Sequence, residues 1–126
     1  MSAGRFWETT LLPDFPTMAR FGLNRLEPAM QRQVFDRLGP ESGEVMFELF
    51  FWIFDEHGTT RVDYERINCR SLHVSGSDDL AIPPSTSRKI AQRHGDKAEF
   101  PEARGFGHYL ALEPRWRGSP ISARTG

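Results

Sequence analysis

Apolar positions between residues 27 and 38 recur at helical spacing: Met30, Val34 and Leu38, with Phe35 beside them. Pro28 suits a first helical turn, where its missing N–H costs nothing, and Gly39 supplies a C-terminal stop. The spacing predicts a helix over Glu27–Leu38. A second helix is predicted over Gly43–Glu56, with Ser42 as N-cap, Glu41 and Glu44 at its positive end and Gly58 beyond it. Its pattern is not one-sided. Val45, Met46, Phe47, Leu49, Phe50, Phe51, Trp52, Ile53 and Phe54 make it apolar nearly all round. Such a helix is expected to be buried on several sides, either in a core or as the wall of an apolar cavity.

The pattern changes after Gly58-Thr59-Thr60. Cys69–Ser75 reads as a strand with Leu72 and Val74 as its apolar face, and 76–79 as a turn. After Pro83-Pro84, a helix is expected over Ser85–Arg93, ended by Gly95. Lys97–Phe100 is a second short strand, 105–108 a Gly-rich loop, and Tyr109–Glu113 the start of a short helix. Strand, helix and strand joined at this length form a βαβ unit, so the two strands should run parallel. The expected fold class is α/β. It divides into a helical region (1–58), an α/β region (59–117) and a polar, frayed tail (118–126).

Composition narrows the function classes. Of 126 residues, 38% are hydrophobic and 26% charged, which favours a globular chain. The net charge of -1 leaves no electrostatic footprint for nucleic acid. Of the ten Phe, three Trp and two Tyr, four Phe and one Trp cluster in residues 47–54, where they must meet a core, a ligand or a partner. A lone cysteine, Cys69, permits no internal disulfide and fits a reducing compartment. Arg5, Glu8 and Pro13 interrupt any leader-like run, and the apolar stretch 47–54 is too short to span a bilayer. The expectation is a cytoplasmic protein without a membrane span and without a cofactor.

Two loops carry the candidate chemistry, and each is expected to follow a strand. One is Gly-Ser-Asp-Asp-Leu-Ala-Ile-Pro-Pro (76–84), the other Gly-Phe-Gly-His-Tyr-Leu-Ala-Leu-Glu-Pro (105–114). In an open parallel sheet, functional groups gather at the carboxyl ends of strands. A carboxylate from the first loop can then accept the imidazole N–H from the second, fixing the tautomer and stabilising an imidazolium.

The order Gly-x-x-Asp-x-x-x-Pro-Pro, helix, strand, Gly-x-Gly-His-x-x-x-x-Glu-Pro resembles the C-terminal end of α/β-hydrolases. Residues 39–52, Gly-Pro-Glu-Ser-Gly-Glu-Val-Met-Phe-Glu-Leu-Phe-Phe-Trp, resemble the helical cap of an esterase-like branch. The resemblance implies an incomplete α/β-hydrolase fold: a helical cap followed by two parallel strands with flanking helices. It implies Asp79 as catalytic acid, with Asp78 the competing choice, and His108 as catalytic base. It places Phe47, Phe50, Phe51, Trp52 and Phe54 against a small apolar ester-like substrate.

The departures matter as much. The family's nucleophile sits in a Gly-x-Ser-x-Gly turn before the cap, and no such pattern occurs here. Gly-Pro-Glu-Ser-Gly at 39–43 has different spacing and precedes a helix, so Ser42 is not read as a nucleophile. Arg70 stands where the family commonly has proline, and His73 where it prefers an aliphatic residue. His57, His73 and His94 show no metal-ligand spacing with one another or with Cys69 and are read as structural or exposed; no metal is expected. Arg88, Lys89 and Arg93 are a solvated helix face. The implied function is a truncated serine hydrolase, inactive alone, whose missing half or a homo-oligomer completes the sheet. The alternative is a non-catalytic remnant that binds an apolar ligand or partner through its aromatic helix.

Overall fold

The computed structural model describes residues 6–54, 57–58 and 60–121, with the side chains of Phe6 and Trp52 excepted. Among these residues it is a small mixed α/β structure of four short α-helices, single-turn 3₁₀ segments and two-residue strands. The helices are α1 (Phe15–Phe21), α2 (Pro28–Phe35), α3 (Gly43–Phe50) and α4 (Pro84–His94). The strands are β1 (Thr10–Leu11), β2 (Glu41–Ser42), β3 (Ser71–Leu72), β4 (Ser75–Gly76), β5 (Ala98–Glu99) and β6 (Glu102–Ala103).

The parallel pairing expected from the βαβ spacing is present. β3 pairs with β5 and β4 with β6, both parallel, and the offset is the same in each: Ser71 faces Ala98, and Gly76 faces Ala103. These are two pieces of one ladder, and proline explains the gap. Glu99 and Ala103 turn their carbonyls toward the neighbouring strand, accepting from His73 N–H (2.9 Å) and Ser77 N–H (2.9 Å). Residue 101 lies midway and in phase, and it is Pro101, which has no N–H to donate. The antiparallel pair β1–β2, two residues on each side, was not foreseen in the hydrophobic pattern.

α2 and α3 begin close to where they were expected and end early, whereas α4 extends one residue beyond its expected span at each end. Pro28 occupies the first turn of α2 and Pro84 that of α4. Ser42 caps α3, its hydroxyl accepting from Val45 N–H at 3.5 Å. Gly95 stops α4 with φ 63°, a left-handed conformation that suits glycine. Beyond Phe35 the chain tightens into i→i+3 bonds, Arg37 N–H to Val34 and Leu38 N–H to Phe35, so α2 falls short of Leu38. α3 ends at Phe50, and Phe51 leaves helical geometry at φ −115°, ψ 34°. The aromatic and β-branched run that follows has little helix propensity. Glu56, Thr59 and the tail from residue 122 lie outside the described residues.

The expectation of a buried aromatic helix is overturned. Gly43 is the buried residue of α3, while Val45, Leu49 and Phe50 are exposed, as are Phe51, Ile53 and Phe54 beyond it. Phe50 is 67% accessible and Ile53 68%. α3 rests on the turn Phe6–Glu8 and on β2, with Trp7 against Phe47 at 5.1 Å between ring centroids. The elements available to it are too short to cover an all-round apolar helix, so part of that surface faces solvent.

The buried apolar side chains among the described residues are Leu23, Leu26, Ala91, Ala103 and Phe106. They come from the α1–α2 connection, α4, β6 and the loop after it. The centre of packing therefore lies beneath the 76–84 and 105–114 loops, not around α3. No helix among the described residues is long and apolar enough to cross a membrane.

Candidate functional site

Two crossings fix the site. At the end of β4, Gly76 lies so close to the backbone of Phe106 and Gly107 that a Cβ would occupy the positions of their carbonyl oxygens. Asp78 N–H donates to the Phe106 carbonyl at 2.9 Å. Ser77 joins the same two loops: its Oγ accepts from Gly105 N–H at 2.8 Å and donates to Asp78 Oδ1 at 2.7 Å.

Asp79 sits within this knot, its side chain 7% accessible. Its Oδ1 accepts from Ala81 N–H (3.0 Å) and Ile82 N–H (2.8 Å), so the loop holds the carboxylate in one rotamer. Its Oδ2 lies 3.0 Å from His108 Nδ1. A carboxylate can only accept, so Nδ1 carries the proton and the lone pair of the ring falls on Nε2. The His108 side chain is 33% accessible, so that nitrogen belongs to a ring within reach of a ligand.

His108 is aimed from behind by Glu113. This buried carboxylate accepts Gly107 N–H at 2.6 Å and pins the residue next to the histidine. On the other side, a Cβ on Gly107 would meet Asn24 Oδ1 and Arg25 Cγ, each at 2.8 Å. Asn24 donates through Nδ2 to the Asp78 carbonyl at 2.8 Å, and Arg25 through Nε to the Gly105 carbonyl at 3.1 Å. Arg115 adds a second donor to Gly105, at 3.0 Å, and lies over the Phe106 ring. The supports from Asn24, Arg25, Ser77 and Glu113 escaped the sequence reading. Only Glu113 left a signal there, as the glutamate that follows the histidine by five positions.

The two aspartates have separate tasks. Asp78 faces away from His108, toward Arg25, with Nε and Oδ2 at 3.6 Å. Geometry thus pairs His108 with Asp79, the one of the two aspartates that the family resemblance prefers.

Among the aromatic residues expected around a substrate, those described meet one another, Trp7 or solvent. Phe47 stacks on Phe51 at 5.3 Å, Phe50 and Phe54 point to solvent, and the Trp52 side chain lies outside the described residues. A cavity of about 400 Å³ opens beside them, lined by Trp7, Glu8, Thr9, Thr10, Ser42 and Glu44, a mixed polar and apolar wall that includes neither Asp79 nor His108. Ser42 is engaged as the cap of α3.

A second polar cluster lies at the other end of the strands. Ser71 Oγ is 2.6 Å from His94 Nδ1 and 3.1 Å from His73 Nε2. His94 Nε2 is buried without a hydrogen-bond partner among the described residues, none of which orients that ring as Asp79 orients His108. The sequence separates these three residues, and their convergence was not anticipated.

No family model, curated protein or solved structure matches this chain.

Proposed function

We propose that this chain is the acid-and-histidine portion of an α/β-hydrolase acting on ester-like substrates through a serine nucleophile, and that it is inactive without the segment that bears that serine. The observation that carries the reading is the 3.0 Å contact between a buried, rotamer-locked Asp79 and His108 at the carboxyl ends of parallel strands. In this reading Asp79 holds the His108 tautomer. His108 Nε2 takes the proton of the attacking serine, and then returns it to the leaving alcohol. A water deprotonated by the same nitrogen cleaves the acyl intermediate. Alone, an oriented imidazole supplies only general-base catalysis, on the order of 10²–10⁴-fold.

The exposed apolar surface of residues 45–54 favours a second role for the same chain, contact with a partner. Large apolar side chains crowded on one short segment mark a binding surface. In the hydrolase reading this surface meets the complementary half or the apolar acyl group.

Co-expression with a segment that carries a Gly-x-Ser-x-Gly turn and an oxyanion loop tests the proposal. Hydrolysis of a chromogenic short-chain ester should emerge only in the mixture and vanish with His108→Ala. Equal activity from the isolated chain, or activity indifferent to His108, refutes it.

A further inference from the structure

The exposed apolar surface of α3 carries charge of one sign. Val45 and Leu49 lie one helical turn apart and are exposed, and Glu44 and Glu48 form the neighbouring stripe. Phe50, Ile53 and Phe54 extend the surface beyond the helix. From residue 38 to residue 60 the chain has no Lys or Arg. The acid beside the patch repels the phosphates of nucleic acid and of anionic lipid. A fitting occupant is apolar and basic together.

The face formed by α1 and α2 has that chemistry. Residues 15–37 hold four arginines, no lysine and two acids, Glu27 and Asp36. Phe21 and Met30 are exposed among them. Arg20 lies over the Phe21 ring at 5.1 Å and Arg32 over the Phe15 ring at 3.8 Å, so guanidinium and apolar surface interleave. Arg37 stands exposed just past α2. Among the described residues no carboxylate pairs with Arg20 or Arg37. We propose that the α3 surface of one copy docks on the α1–α2 face of a second copy of this chain.

Each face supplies what the other lacks. Arginine suits an aromatic, acidic surface in two ways: its planar cation stacks on Phe rings, and its N–H fork meets a carboxylate. α3 against α3 would instead set Glu44 and Glu48 against their own copies, with no Lys or Arg between residues 38 and 60 to neutralise them. A net charge of -1 puts little long-range repulsion between whole chains, so the local segregation of charge directs the docking. The contact presupposes that residues 45–54 are a partner surface, and it is independent of the Asp79–His108 chemistry.

Sedimentation velocity on the full chain, across a concentration series at low salt, tests this with reciprocal charge reversals. One variant carries Glu44→Lys and Glu48→Lys, the other Arg20→Glu and Arg37→Glu. Each alone should associate more weakly than the parent, by up to about fivefold for each exposed pair lost. Their equimolar mixture should recover association, because opposite charges then face each other again. Phe50→Ser, Ile53→Ser and Phe54→Ser together should abolish it. A parent chain that stays monomeric at every soluble concentration overturns the second copy as partner. An arginine-reversed variant that associates like the parent, or a mixture without recovery, overturns the α1–α2 face even where the serine variant dissociates. A serine variant that associates like the parent refutes the α3 surface itself. If a reversal unfolds the chain, amide shifts of the parent on dilution decide: those of α1, α2 and α3 must move together, and movement confined to α3 refutes the contact.

Discussion

Gly76 and Phe106 share one volume: the Phe106 carbonyl stands where any side chain on Gly76 would have to be, and the same carbonyl receives Asp78 N–H. A backbone carbonyl held by a ladder and a turn cannot step aside as a side-chain tip can. Gly76→Ala should therefore destabilise the fold by about 3 kcal/mol, the upper end for overpacking. It should also separate the loops that carry Asp79 and His108. Urea unfolding gives the first effect, and the His108 ring resonances give the second.

Asp79→Asn and Asp79→Ala should part company. Asn retains an oxygen for the Ala81 and Ile82 amides, so the loop survives, but its NH₂ faces His108 and forces the proton onto Nε2. Ala leaves those buried amides without an acceptor, at about 1–3 kcal/mol. Ring ¹⁵N shifts should report the exchanged tautomer in Asn, with stability little altered, and a lower unfolding midpoint in Ala. In a reconstituted hydrolase the Asn change should lower turnover by about 10⁴-fold.

Glu113→Ala removes the acceptor of Gly107 N–H at a buried position. The expected cost is about 1–3 kcal/mol. Glu113→Gln keeps an acceptor and should recover most of it. A pair of variants with equal unfolding midpoints would show that Glu113 is not what holds the histidine loop.

Sequence was informative where chemistry is local. The βαβ spacing implied parallel strands, and two parallel pairs are present; the family resemblance preferred Asp79 to Asp78, and Asp79 is the carboxylate that lies 3.0 Å from the His108 ring. Sequence failed where the reason lay in the rest of the chain. The apolar pattern at 45–54 says that a helix needs cover, but not that the neighbours, a turn and a two-residue strand, are too small to give it. His73 and His94 are 21 positions apart, and only the placement of α4 over β3 brings them together. Asn24 and Arg25 reach the site through a connection whose polar residues have no periodicity to read.

The α3 surface should govern association. Replacing Phe50, Ile53 and Phe54 with serine should cost less than about 0.5 kcal/mol each, because these side chains are mostly exposed already. The triple variant should be less associated than the parent in light scattering after size exclusion. An unchanged mass distribution removes the case for a contact surface there.

Asp14 gives a pH signature distinct from the site. It caps α1, and the Thr17 backbone N–H at 3.0 Å, followed by the Thr17 hydroxyl at 2.8 Å, holds its carboxyl below the ordinary value. Its contribution is therefore present in full above the unfolded carboxylate pKa of about 3.9. It declines as pH falls through the lower folded value. Asp14→Ala should lower stability near neutrality and converge with the parent in strong acid. Parallel stability–pH curves for the two chains would remove the cap from the account.

Pro101 divides the strand pair into two short runs with no shared donor between them. Unzipping one run does not oblige the other to follow. Amides around Ser71–His73 and those around Gly76–Asp79 should therefore exchange with deuterium at different rates and respond separately to denaturant. What happens to the paired imidazoles at one end can thus leave the carboxylate and its histidine at the other undisturbed.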